Sequence, residues 1–207
     1  MKTPLAGLRA QAQIASTARS NDESREALGR LMQGVDRTAH MLDQLLDLAR
    51  VEALSKDGEL PFKPVQLTDV FRDVMHDLEA ASHQKLVSVT ARFEVTHVHG
   101  LAYGLHLIMR NLISNSIQYC PDGSKVSLAS TESDTDIVVT VDDSGAGIAP
   151  DARERAFERF NRLNQNGPDG VGLGLSIVLL VVELHGARIQ LQDSPMGGLR
   201  VRLSFPK

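Results

Sequence analysis

The chain has 207 residues, of which 42% are hydrophobic and 23% charged, and its formal net charge is −4. The apolar content is enough for one ordinary domain and a smaller element, whereas the negative charge and the aromatic content of 4% argue against a nucleic-acid-binding surface. The single cysteine, Cys120, excludes an internal disulfide, and no apolar run reaches the roughly 18 residues of a membrane helix. Composition therefore predicts a soluble polypeptide, which could be cut from a longer membrane-anchored protein.

Residues 1–54 are predicted to form two helices joined by a turn at residues 20–22. Apolar residues recur at alternating steps of three and four, which is the a/d seam of a coiled coil. In the second helix this seam consists of Leu28, Leu31, Val35, Thr38, Leu42, Leu45 and Ala49. A hairpin this thin cannot bury both of its seams, so we expect two copies to pair in a four-helix bundle. The alternative is a hairpin packed on its own domain.

Residues 55–64 are rich in helix breakers and predict a linker, which divides the chain into residues 1–56 and 57–207. Beyond it, Thr68 or Asp69 can cap a helix that runs to about His83. Two further helices are predicted at residues 103–119 and 173–185, the last one ended by Gly186. Alternating patterns predict strands at residues 87–93, 124–128, 137–141, 188–192 and 199–205. Mostly antiparallel strands without a regular βαβ repeat favour an α+β two-layer sandwich.

Three motifs could carry chemistry. Asn111 and Asn115 lie four residues apart, on one face of the predicted helix, and amide oxygens are suitable ligands for Mg²⁺. The other two are glycine clusters, residues 143–148 and 170–175, which allow a backbone to approach a phosphorylated ligand closely. Each motif alone is weak, because an asparagine pair is often a solvated face and an Asp-Gly step is often a turn. The second cluster follows no strand and has no Gly-Lys-Ser/Thr, so neither a Rossmann nor a P-loop motif fits.

Taken together and in this order, the motifs resemble the catalytic ATP-binding region of sensor histidine kinases, which are related to gyrase, Hsp90 and MutL. Residues 111–119 resemble the N box of that family, residues 143–148 the G1 box, residues 157–160 the F box and residues 170–175 the G2 box. Thr3-Pro4-Leu5 resembles the end of the H box. The spacing is most similar to the OmpR-partnered class, of the QseC type. The resemblance implies a helical hairpin followed by an α/β two-layer sandwich of the histidine kinase, Hsp90 and gyrase ATPase type.

The same resemblance implies the site residues. Asn115 would coordinate the Mg²⁺ on the ATP phosphates with Asn111 beside it, and Asp143 would accept a hydrogen bond from the adenine amino group. Gln118 and Tyr119 would line the phosphate and sugar side, although many relatives have a cationic residue at Gln118. The remaining implied residues are those of the pocket wall, the lid and its hinge: Gly145, Gly147, Ile148, Phe160, Arg162, Gly170, Gly172, Leu173, Gly174 and Leu175. Arg162 would approach the γ-phosphate.

In this family the phospho-accepting histidine stands four residues before the threonine that matches Thr3, so it would precede Met1. We therefore expect a chain that binds ATP but does not autophosphorylate, with Thr3 at the position that orients water when the regulator is dephosphorylated. His40 is expected to be an ordinary helix-surface residue, and the pair His97 and His99 lacks a third metal ligand.

The family also implies partners: a homodimer through residues 1–54, the receiver domain of a response regulator, and attachment to an inner-membrane bacterial sensor whose cytoplasmic portion this chain would be. Two alternatives remain open. One is a non-enzymatic dimerising adapter with a regulatory nucleotide site, and the other is an ATPase of the gyrase type.

Overall fold

The structure is a computed structural model and describes residues 2–17, 20–54, 60–163 and 171–207, with only the backbone of residues 2–6. The chain divides into two compact units, Met1–Leu46 and Asp47–Lys207. The division into residues 1–56 and 57–207 stays a prediction. No helix in the described part of the chain is long and apolar enough to cross a membrane.

The first unit contains the two predicted helices. Helix α1 spans Lys2–Thr17, and α2 spans Asn21–Leu54, so the last two turns of α2 belong to the second unit. Ser20 caps α2, because its Oγ accepts a hydrogen bond from the N–H of Glu23 at 3.2 Å. The two helices approach closely at Gly34, where an added Cβ would lie 2.6 Å from Leu8 Cδ2.

Part of the predicted seam of α2 remains exposed in the single chain. Leu28, Val35 and Leu42 follow one another at intervals of seven residues, and they are 46%, 50% and 50% exposed. Leu31, between them on the seam, and Leu45, which follows Leu42, are half-buried. Helix α1 therefore leaves an apolar stripe along α2 uncovered, as is typical of a coiled-coil surface that contacts a further helix.

The second unit is a sheet covered by helices, which confirms the predicted α+β sandwich. The strands are β2 (Ser88–Phe93), β4 (Lys125–Glu132), β5 (Asp136–Asp143), β6 (Arg188–Asp193) and β7 (Leu199–Pro206), in the order β2-β4-β5-β7-β6. Helices α3 (Leu67–Gln84), α4 (Ala102–Tyr119) and α5 (Gly174–Leu184) form the other layer. One row of side chains crosses the whole sheet: Ala91, Leu128, Val141, Val201 and Leu191.

Three details differ from the sequence prediction. Strand β1 (Lys63–Gln66) begins inside the predicted linker and pairs antiparallel with β3 (His97–Gly100), which was not predicted as a separate strand. Pro64 is tolerated in β1 because a strand at the edge of a sheet need not donate every N–H. Strands β2 and β4 are parallel, since α4 lies on the connection between them. Finally, α3 begins at Leu67 without a side-chain cap, so the predicted cap at Thr68 or Asp69 is wrong.

Helices α3 and α5 end in the same way with different residues. After α5, the N–H of Gly186 donates to Glu183 O, and the N–H of the next residue donates to Val182 O, each at 3.0 Å. After α3, Leu86 and the residue that follows it make the equivalent pair of hydrogen bonds. Both are Schellman motifs, which need a left-handed residue. Gly186 has φ +60° without cost, whereas Leu86 has φ +53° and is 74% exposed.

Candidate functional site

The predicted asparagine pair lies against the first residue of α5. A Cβ added to Gly174 would lie 3.1 Å from Asn111 Oδ1 and 3.4 Å from Asn115 Oδ1, so only glycine leaves the two amides in place without a shift. Asn111 is buried, and its Nδ2 donates to Leu107 O at 2.8 Å. Unpaired N–H groups and the positive end of the helix dipole lie at a helix N-terminus. The amide oxygens of the asparagine pair, which suit a cation, therefore lie beside the N-terminus of α5, which suits an anion.

Asp143 forms a second buried polar centre at the end of β5. Its side chain is held on both oxygens, since Oδ1 accepts from the N–H groups of Gly145 at 2.9 Å and Leu199 at 3.0 Å. The hydroxyl of Ser116 donates to Oδ2 over a longer distance of 3.4 Å. The carboxylate is thus fixed by the turn that follows it, by β7 and by α4.

Close backbone packing surrounds this carboxylate. A Cβ added to Gly145 would lie 2.8 Å from Cys120 Sγ, and one added to Gly198 would lie 2.2 Å from Asp143 Oδ1. Gly147 has φ +69°, and its added Cβ would lie 3.2 Å from Gly198 O. Gly145 and Gly198 therefore pack against Asp143, and Gly147 packs against Gly198.

The predicted lid motifs are joined through their backbones. The N–H of Phe160 donates to Gly172 O at 2.9 Å, and Gly172 has φ +74°. A Cβ added to Gly172 would lie 2.6 Å from Asn161 O, so a larger residue cannot fit without moving the backbone. Phe160 itself has φ +62° and is 62% exposed. Next to Gly172, Leu173 is completely buried.

The other predicted residues are placed as follows. Gln118, Ile148, Arg162 and Leu175 are half-buried, and Tyr119 is 46% exposed. Thr3 lies in α1, in the part where only the backbone is described, and Gly170 lies outside the described residues. The roles of all these residues toward ATP stay predictions.

Several residues that support the site were not singled out from the sequence. Ser116 bonds to Asp143, and Gly198 packs against the same carboxylate. Arg153 connects the G1 segment to β6, since its Nε donates to Ile148 O at 3.1 Å and its Nη2 bonds to Asp193. Apart from the bond between Arg153 and Ile148, these contacts join residues 27 to 55 positions apart, so local patterns could not indicate them. The only signal was the position of Ser116, directly after Asn115.

Lys85 was missed as well. Its Nζ donates to the carbonyl oxygens of Ile117, Gln118 and Cys120, at 2.9, 2.8 and 2.7 Å. These carbonyls are at the C-terminal end of α4, where a cation is favoured by the helix dipole. Lys85 therefore anchors the end of the helix that carries both asparagines.

Cys120 is buried beside Asp143. Burial, followed by the charge of Asp143, raises the pKa of the Cys120 thiol to about 11, so the thiol is neutral near neutral pH. In the part of the chain that the structure describes, no group of three or more His, Cys, Asp or Glu side chains is placed to hold a metal ion.

Two family models match the chain. The model described as "Histidine kinase-, DNA gyrase B-, and HSP90-like ATPase" matches residues 100–207, and that described as "His Kinase A (phospho-acceptor) domain" matches residues 1–54. The second match does not support the expectation that the acceptor histidine is absent, nor the expectation that autophosphorylation does not occur. Both are corrected here, because they rested only on where the H-box resemblance begins.

The chain is also similar to individual proteins. The sensor protein QseC of Escherichia coli O157:H7 is 31% identical over 208 residues, which are 99% of this chain and 45% of that protein. The chain thus spans less than half the length of that relative. The structure of the histidine kinase AdeS of Acinetobacter baumannii has a TM-score of 0.76 at 21% identity, with 99% of this chain and 95% of that chain covered. The ATP binding domain of PrrB from Mycobacterium tuberculosis is 31% identical with a TM-score of 0.57, over 71% of this chain and 98% of that chain.

Proposed function

Because this chain belongs to the sensor histidine kinase family, we propose that it is the kinase core of a two-component sensor, in which the γ-phosphoryl group of ATP passes to a histidine and then to an aspartate of a response-regulator receiver domain. We place this core on the cytoplasmic side of an inner-membrane bacterial sensor. The phospho-acceptor match over residues 1–54 favours this function over a gyrase-type ATPase. The homodimer would form through the same residues, where Leu28, Val35 and Leu42 are exposed.

The observation that carries the proposal is the contact between the asparagine pair and Gly174 at the start of α5. Mg²⁺ keeps several waters and is bound by substrate phosphates together with one or two protein oxygens. The half-buried amide of Asn115 fits such a ligand, and Asn111, held by Leu107 O, supports it from the preceding turn. The N-terminus of α5 would bind the phosphates. ATP with Mg²⁺ would supply the phosphoryl group and neutralise its charge.

The residues of the chain would position the adenine base and the phosphates of ATP. Asp143 would accept a hydrogen bond from the adenine amino group, and α4 connects this base site to the phosphate site because Ser116 and Asn115 are neighbours on it. Gly172, joined to Phe160, would let the lid cover the phosphates. Correct placement of donor and acceptor groups is the main catalytic requirement of phosphoryl transfer.

Binding of ATP tests the proposal. Calorimetry with ATP and Mg²⁺ should give a binding isotherm with the wild-type chain and none with Asn115→Ala, because the amide ligand is removed. Ser114→Ala, one residue away on α4, should bind like wild type. If Asn115→Ala binds ATP as tightly as wild type, the non-enzymatic adapter with a different nucleotide site is the better interpretation.

The histidine step is tested separately with γ-labelled ATP. An acid-labile, alkali-stable adduct is the signature of phosphohistidine. Within residues 1–54 the sequence has one histidine, His40, which is exposed on α2. Loss of the adduct in His40→Gln would identify that residue, and an adduct that persists would place the acceptor elsewhere.

A further inference from the structure

The two carboxylate oxygens of Asp143 differ in the hydrogen bonds that they accept. Oδ1 receives two backbone N–H groups, from Gly145 and Leu199, and these occupy both of its lone pairs. The hydroxyl of Ser116 donates to Oδ2, and the Cys120 thiol, a weaker donor, also hydrogen-bonds to this carboxylate. Oδ2 is therefore the oxygen with acceptor capacity left for a ligand.

Ser116 is well placed to control that oxygen. Ser116 is 7% exposed and Asp143 is 8% exposed, so the pair is shielded from water and from competing donors. The serine lies on α4 and the aspartate at the end of β5, so the hydrogen bond joins the helical layer to the sheet. The distance of 3.4 Å is long, but hydrogen bonds in unliganded sites are often long and shorten when the ligand is bound.

Of the groups that donate to Asp143, the hydroxyl of Ser116 is the one that can change its direction most easily. Gly145 and Gly198 pack against the carboxylate with distances that allow no side chain, so the backbone around Oδ1 cannot move independently. The thiol of Cys120 is neutral and also hydrogen-bonds to the carboxylate, but a thiol is a weaker donor than a hydroxyl. The direction of the free lone pair on Oδ2 thus depends mainly on the serine hydroxyl.

From this geometry we infer that Ser116 is a positioning residue that sets the nucleobase selectivity of the site by orienting Oδ2 of Asp143 toward the exocyclic amino group of adenine. The inference rests on the proposed function as an ATP-binding kinase core. A base with an amino group donates to Oδ2, whereas a base without one leaves a buried carboxylate oxygen unpaired. A site built to hydrogen-bond a substrate group rejects analogues that lack it for this reason.

The test compares two nucleotides in one variant. ATP and purine riboside triphosphate, which has hydrogen in place of the 6-amino group, are titrated into wild-type, Ser116→Ala and Ser114→Ala chains. Removing this one long hydrogen bond should weaken ATP binding by Ser116→Ala about five- to tenfold. Binding of purine riboside triphosphate should not change, so the ratio of the two affinities falls by the same factor. Ser114→Ala, about 200° around the helix from Ser116, should keep the wild-type ratio.

The outcomes separate the two proposals. Alanine is a good helix former, so Ser116→Ala should fold, and its melting temperature checks this. Equal loss of affinity for both nucleotides would show a merely structural role for Ser116 and would overturn the inference, as would unchanged ATP binding. In either case the proposed function stands, since wild type still binds ATP. If wild type binds neither nucleotide, the proposed function fails and the inference fails with it.

Discussion

Alanine substitutions at two neighbouring glycines in the turn before β7 can separate the effect of a steric clash from the effect of backbone strain. Gly198 has no positive φ, but an added Cβ would lie 2.2 Å from Asp143 Oδ1 and 2.4 Å from the amide nitrogen of Gly145. Gly197 has φ +96°, and nothing lies within 4 Å of its added Cβ. Gly198→Ala should therefore damage the site, whereas Gly197→Ala should only strain the backbone.

The magnitudes follow from the structure. Contacts of a real Cβ shorter than 3.0 Å are essentially never seen, so the carboxylate must retreat by at least 0.8 Å, the difference between 3.0 and 2.2 Å. Such a shift overpacks the site, which costs about 1 to 3 kcal/mol, and it stretches hydrogen bonds to a charged group that are each worth about 1.5 to 3 kcal/mol. We expect a total of about 3 kcal/mol for Gly198→Ala. For Gly197→Ala we expect about 1 kcal/mol from the left-handed conformation alone.

Thermal melting and ATP titration measure the two effects. For a unit of this size 1 kcal/mol lowers the melting temperature by about 2 to 4 °C, so Gly198→Ala should lose about 6 to 12 °C and Gly197→Ala about 2 to 4 °C. ATP affinity should fall about tenfold or more in Gly198→Ala, because Asp143 is displaced, and should stay near wild type in Gly197→Ala. If the two variants melt together and bind ATP equally well, the packing of Gly198 against Asp143 is not what fixes the carboxylate.

Three further predictions concern other parts of the chain. Leu86→Gly should raise the free energy of unfolding in a denaturant titration by about 1 kcal/mol, because it relieves the left-handed conformation, whereas Gly186→Ala at the equivalent position should lower it by a similar amount. Burial lowers the pKa of His185, whose Nε2 accepts from the N–H of Leu101 at 3.0 Å. The neutral His185 therefore stabilises the fold fully above its unfolded pKa of 6.5, and this stabilisation is lost as the pH falls below that value. The melting temperature of His185→Gln should therefore change less than that of wild type between about pH 7.5 and 5.5. Val35→Asp should convert a dimer into a monomer in light scattering, since it places a charge in the exposed stripe of α2, and an unchanged mass would contradict this dimer surface.

The sequence predicted the helices well, because their signals are local. The seam of α2, the polar cluster before it and Gly186 after α5 depend on residues within one or two turns of each other. The order of the four boxes predicted the ATPase fold and the family in the same way. Two details of the fold differed where a tertiary partner decides. Pro64 entered a strand because β3 was available to pair with it, and α3 starts at Leu67, whose N–H donates to Thr96 O at 2.8 Å.

At the site, the sequence by itself determined which residue types are present and their spacing on each element. Asn111 and Asn115 had to share a helix face, and the glycines had to allow close approach. Only the tertiary structure decided what they approach: Gly174 meets the asparagines, and Gly198 meets Asp143. It alone brought Ser116 to the carboxylate, across 27 residues of chain. Helix periodicity is set by bonds between near neighbours, whereas these contacts exist only after the helical layer has packed on the sheet.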